Sequence, residues 1–90
     1  FEDTNTAIAE QVWEGVEVYP NPFAASLTIK NPSVLVGRYE LVTLQGQTVR
    51  AGEIQSSELS IDTEELPLGI YFARLVAASG ETRIVRLVKY

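Results

Sequence analysis

The chain offers hydroxyl nucleophiles at Ser26, Ser33, Ser56, Ser57, Ser60 and Ser79, but it contains no His and no Cys. A serine nucleophile needs a base within hydrogen-bond reach and donors for the oxyanion. No Gly-x-Ser-x-Gly elbow surrounds any of these serines, and Lys30 and Lys89 stand outside any Ser-x-x-Lys pattern. Without Cys there is no thiolate nucleophile, thiolate zinc site or disulfide framework. Without His the commonest general base and metal ligand are missing. The acidic run Asp62-Thr63-Glu64-Glu65 lacks the spaced oxygen ligands and the Gly of a calcium loop, and it reads as a solvated turn. A carboxylate pair for glycoside chemistry needs a cleft, and a chain of 90 residues has material for one thin core and little more. No Gly-rich loop could cradle a phosphate. These residues point away from catalysis, and the chain is expected to be no enzyme and to carry no metal or cofactor.

Charge narrows the partners. Net charge is −5, and Glu2, Asp3, Glu10, Glu14 and Glu17 precede the first basic residue. The seven remaining acidic residues balance the seven basic ones. A neutral domain behind an acidic leader does not grip a phosphate backbone, so nucleic acid is not an expected partner. No apolar run approaches the roughly 18 residues that span a membrane as a helix. The first residue is not Met, and no signal-peptide pattern opens the chain, so it is expected to be a fragment or a processed product.

The elements that must position any site are strands. Residues 1–14 are acidic and weakly patterned, and read as a linker; Ala7, Ile8 and Val12 could alternatively make one helical turn. From residue 15 to 90 the pattern is strand and turn. "VEVY" meets Pro20-Asn21-Pro22, where two prolines stop any ladder. "SLTIKN" alternates and closes at Asn31-Pro32. "RYELVTL" and "TVRAGEI" flank Gln45-Gly46-Gln47 as a hairpin, "ELSID" alternates again, and "GIYFARLVA" and "TRIVRLV" flank Ser79-Gly80-Glu81 as a second hairpin. About seven short strands with regular turns predict an all-β, immunoglobulin-like antiparallel β-sandwich, with a β-barrel as runner-up.

Within that fold, Leu66-Pro67-Leu68-Gly69 turns the chain and Tyr71 opens the penultimate strand. The expected structure is a tyrosine corner: ring in the core, hydroxyl on backbone, Gly69 at positive φ or in close backbone approach. The last two strands carry apolar residues on both faces. Ile70, Phe72, Ile84 and Val88 form an outward strip among Arg74, Arg83, Arg86 and Lys89. Either the leader covers that strip, with Trp13 in contact, or the strip docks a partner.

"VEVYPNPFAASLTI", "LVTLQGQTV", "LPLGIYFARL" and "RLVKY", in this order over residues 16–90, resemble the C-terminal sorting domain of the type IX (Por) secretion system of Bacteroidetes. The matching positions are Tyr19, Pro20, Asn21 and Pro22; Gly46 and Val49; Leu66, Pro67, Gly69, Tyr71 and Arg74; and Arg86 and Lys89. Thr43 stands where the pattern commonly has Asp, Arg86 stands where Lys is more usual, and Tyr90 adds an aromatic terminus. The resemblance implies an immunoglobulin-like domain that directs its parent from the periplasm through an outer-membrane translocon to the cell surface. It also implies processing by a surface sortase, at or before residue 15, and attachment of the cargo to lipopolysaccharide. Expected partners are translocon and sortase components, with Gly46, Gly69, Ile70, Phe72, Arg74, Arg86, Lys89 and Tyr90 as recognition residues. Tyr19, Pro20, Asn21, Pro22, Leu66, Pro67 and Tyr71 are expected to be structural. A strand-exchanged or edge-paired dimer is a further expectation from the open edges. The alternative is an immunoglobulin-like accessory or carbohydrate-binding module, which would present Trp13, Tyr39 and Tyr90 to a glycan.

Overall fold

The computed structural model describes residues 13–90, and the helical turn weighed at Ala7, Ile8 and Val12 lies outside the described residues. All seven expected strands form: β1 (Glu17–Tyr19), β2 (Ser26–Lys30), β3 (Val36–Thr43), β4 (Thr48–Glu53), β5 (Glu58–Asp62), β6 (Gly69–Ala77) and β7 (Thr82–Lys89). They pair antiparallel into a three-stranded sheet, β1-β2-β5, and a four-stranded sheet, β4-β3-β6-β7. The architecture is a sandwich, not a closed barrel.

Alternation builds the core. Leu27, Ile29 and Ile61 from one sheet meet Val36, Leu41, Tyr71, Ala73, Leu75, Ala77 and Leu87 from the other, and all are buried. β6 and β7 put every second residue into this layer, as a half-solvated strand should. The hairpin turns obey their glycines: Gly46 and Gly80 have φ of +94° and +96°, which L side chains rarely adopt. The acidic run is a turn. Thr63 is buried and its hydroxyl donates to the Ala24 carbonyl at 2.9 Å, while the Asp62 carboxylate accepts the Glu64 N–H at 3.1 Å.

A buried polar hub closes the other end of the sandwich. Asn31 is 0% exposed. Its amide donates to the Val36 carbonyl at 2.9 Å and accepts the Val36 N–H at 3.3 Å. Its own N–H donates to the Ser57 carbonyl at 2.7 Å, so one side chain and one amide hold two loops together.

Candidate recognition surface

The strand directions bring the distinctive segments to one end. β3 ends and β4 begins at the Leu44–Gln47 turn; β6 begins at Gly69; and Lys89, at the end of β7, pairs with Gly69. β2 begins at Ser26, opposite Asp62, just after the Pro20–Ala25 connection. The proline segment, the middle hairpin, the Leu66–Gly69 turn and the chain's last residues therefore meet, although they are scattered through the sequence.

Each segment is fixed by identifiable contacts. The Tyr71 hydroxyl donates to the Pro67 carbonyl at 2.5 Å, and its ring meets Phe23 edge-on with centroids 5.9 Å apart. This is the expected tyrosine corner. Gly69 has φ of +142° and an added Cβ would touch nothing, so the backbone angle, and not a close approach, requires glycine there. At the middle hairpin the Thr43 hydroxyl accepts the Gln47 N–H at 3.1 Å, the turn-closing role that a carboxylate could also fill. The proline segment has cis peptide bonds at Tyr19–Pro20 and Asn21–Pro22. Between them, Asn21 pairs with β7: its Oδ1 accepts the Val88 N–H at 3.1 Å and its Nδ2 donates to the Arg86 carbonyl at 3.2 Å. Phe23 continues the pairing with the Val88 carbonyl and the Tyr90 N–H, both at 2.9 Å. The Tyr19 hydroxyl donates to Glu58, and this bond, with burial and the charge of the carboxylate, raises its pKa above the usual 10.0.

Two hollows open at this end. A groove of about 680 Å³ runs between the β3–β4 turn and the Leu66–Gly69 turn, lined by Leu44, Val49, Pro67, Leu68 and Ile70 among others. A shallower one of about 370 Å³ lies beside it, where Val42, Leu44, Phe72, Arg74 and Ile84 meet. Leu44 belongs to both and is exposed. Leu44, Leu68 and Ile84 are large exposed apolar side chains; Ile84 belongs to the expected outward strip, whereas Leu44 and Leu68 come from turns and were not among the expected recognition residues.

The structure sorts the expected recognition residues into three places. Ile70, Phe72, Arg74 and Arg86 share the outer face of the four-stranded sheet with Ile84 and Val88. On that face Glu40 accepts from Arg38 at 2.9 Å and from Arg74 at 3.2 Å, so Arg74 is paired and not a free charge. Gly46, Gly69 and Tyr90 lie at the motif end. Lys89 does not join the basic strip: it is 7% exposed and follows Leu87 on the inner face of β7. No described polar side-chain atom is left buried without a partner, so its stem is covered while its ammonium reaches water. Arg83 is also on the inner side, with its guanidinium carbon 4.9 Å from the Trp13 ring centroid.

Trp13 itself belongs to the core and does not cover the outer strip. It is no exposed platform for a glycan either. Tyr39 is half-buried against Gly52, where an added Cβ would stand 3.0 Å from its ring, and only Tyr90 of the three proposed aromatics is open to solvent. The carbohydrate alternative therefore finds no gathered aromatic surface among the described residues. Nor is any described helix long and apolar enough to cross a membrane.

Comparison with known proteins follows the same lines. The family described as the secretion-system C-terminal sorting domain matches residues 17–89. PorZ of Porphyromonas gingivalis, described as an essential surface component of the type IX secretion system, is similar in structure with a TM-score of 0.74 and 19% identity. That likeness covers 89% of this chain and 12% of the PorZ chain. A DUF3244 protein from Bacteroides vulgatus, described as an immunoglobulin-like β-sandwich, is similar with a TM-score of 0.72 and 19% identity, over 83% of this chain and 84% of that one. At these identities the two structures speak for the fold. No curated protein matches the chain.

Proposed function

The chain belongs to the family of secretion-system C-terminal sorting domains of the type IX (Por) system, and on that premise we propose that it carries its parent through the outer-membrane translocon to the cell surface. A surface sortase then removes the domain and joins the cargo to lipopolysaccharide. The observation that supports this reading most is the convergence of four separated segments at one end of the sandwich. A translocon component meeting a folded domain needs one contiguous surface, and this end offers a groove with exposed apolar residues at its rim. The outer strip of Ile70, Phe72, Ile84 and Val88 continues that surface along the sheet.

β7 supplies a second mode of contact. Its even-numbered residues turn their backbone groups away from β6, as the Asn21 and Phe23 bonds to Arg86 and Val88 show. The same parity leaves the backbone of Ile84 facing outward, beyond the reach of the proline segment. That half of the edge could add to a partner's sheet or to a second copy.

The test is a reporter carrying residues 1–90 at its C-terminus and a periplasmic signal at its N-terminus. It is expected on the surface of type IX-competent cells and in the periplasm of cells lacking the translocon. Equal distribution in the two strains would overturn the proposal.

A further inference from the structure

Trp13 lies outside the residues that the family match covers, yet it is part of the packed unit. The residue is 9% exposed. Its indole Nε1–H donates to the Glu81 carboxylate at 2.8 Å, 68 positions along the chain. The Arg83 guanidinium sits over the ring, its central carbon 4.9 Å from the centroid. Just after it, the Val16 N–H donates to the Trp13 carbonyl at 3.1 Å, and Gly15 takes a φ of +73° with its Cβ direction 3.0 Å from Pro32. Burial, a hydrogen bond, a cation over the ring and a closed turn all hold the same point. Glu81 and Arg83 belong to the β6–β7 turn and the start of β7, so this point is at the end of the sandwich away from Gly69.

We propose that Trp13 is a latch that sets the downstream limit of proteolytic processing: a protease acting on the folded domain cuts on the N-terminal side of Trp13. The biological use of the limit rests on the reading of the chain as a processed sorting domain, but the limit itself is a property of the folded chain. A protease takes several residues in extended form. Reaching the bonds from Trp13 to Val16 requires withdrawing the indole from Glu81 and Arg83 and undoing the turn. Cleavage of a folded protein then follows the population of that opened form. The latch also gives the domain a polarity, with Trp13 held at one end and the four converging segments displayed at the other.

The test is digestion of purified residues 1–90 under native conditions with a protease of broad specificity, with the new N-termini read by intact mass. The wild-type fragment is expected to begin at or before Trp13. In Trp13→Ala, cutting between residues 13 and 17 is expected to rise by on the order of 100-fold, because local opening becomes easy. The double variant Glu81→Ala/Arg83→Ala removes the latch from the surface and leaves the core intact, so it remains informative if Trp13→Ala fails to fold. It is expected to raise cutting there by roughly 10-fold. Wild-type cleavage between Trp13 and Val16 as fast as cleavage upstream would overturn the proposal. So would a domain released in competent cells that begins beyond Trp13. Failure of the export reading has a different signature: the reporter stays in the periplasm while the limit measured on the pure chain is unchanged.

Discussion

The Asn21 side chain stands beside β7 as a strand would, accepting from the Val88 N–H at 3.1 Å and donating to the Arg86 carbonyl at 3.2 Å. Two segments more than sixty positions apart in sequence are joined by one amide. The amide covers backbone groups that would otherwise form an open edge, and Phe23 extends the cover to Tyr90. Replacing Asn21 by Ala removes both bonds. Because the site is solvent-accessible, the expected cost is about 1 kcal/mol, and denaturant unfolding checks it. The sharper reading is local. Hydrogen exchange at the Val88 amide should accelerate more in Asn21→Ala than at Leu75, and Asn21→Asp, which keeps the acceptor, should preserve more of that protection.

The tyrosine corner predicts a second loss. Tyr71→Phe keeps the ring and its edge-on contact with Phe23 but strands the Pro67 carbonyl, which the hydroxyl now meets at 2.5 Å. A part-buried bond of this kind is worth about 1–2 kcal/mol, measured as a fall in denaturant midpoint with unchanged slope. If the corner also positions the groove rim, export of a Tyr71→Phe reporter should fall further than its stability loss accounts for.

Asn31 predicts a larger one. Its buried amide satisfies both backbone groups of Val36, and neither group has water to replace it. Asn31→Ala leaves a donor and an acceptor unpaired as well as a small void, for about 3 kcal/mol in equilibrium unfolding. Asn31→Asp retains the acceptor and loses the donor, and buries a charge. It should be at least as destabilising near neutral pH and recover on acidification, when the protonated carboxyl can again donate to the Val36 carbonyl.

What the sequence made legible follows from which interactions are local. Turn chemistry marked the strands: Pro20-Asn21-Pro22, Asn31-Pro32, Gln45-Gly46 and Ser79-Gly80 each ended one, and all seven formed. Tyr71, four residues after Pro67, could be read because corner and partner are neighbours in sequence. Lys89 could have been placed by counting in twos from Leu87; its charge suggested an outer position, but the pleat set the inner one. Trp13 was expected against the outer strip or open to a glycan, and it lies in the core instead. Its surroundings are acidic and irregular, and the groups that bury and bond it, Glu81 and Arg83, come from the far end of the chain. The groove between the two turns was hidden for the same reason: Leu44 and Leu68 are ordinary turn residues until the strand directions bring their loops together.

The groove end and the outer face of the four-stranded sheet are the two candidate surfaces for an export machinery to read. Leu68 is 72% exposed at the groove rim, and Ile84 is 62% exposed on the outer sheet face beside the uncovered half of β7. Both side chains already face water, so Leu68→Glu and Ile84→Glu should each change stability by less than about 0.5 kcal/mol. That makes the pair a clean comparison for surface display of a reporter. If the converging segments form the docking site, Leu68→Glu should cut display by roughly 10-fold or more, because a carboxylate would have to be desolvated at the centre of the contact. Ile84→Glu should then have a smaller effect. The opposite order would move the docking site to the sheet face and the open edge of β7. Normal display by both variants would show that neither surface is read, and with them the convergence of the four segments would lose its functional meaning.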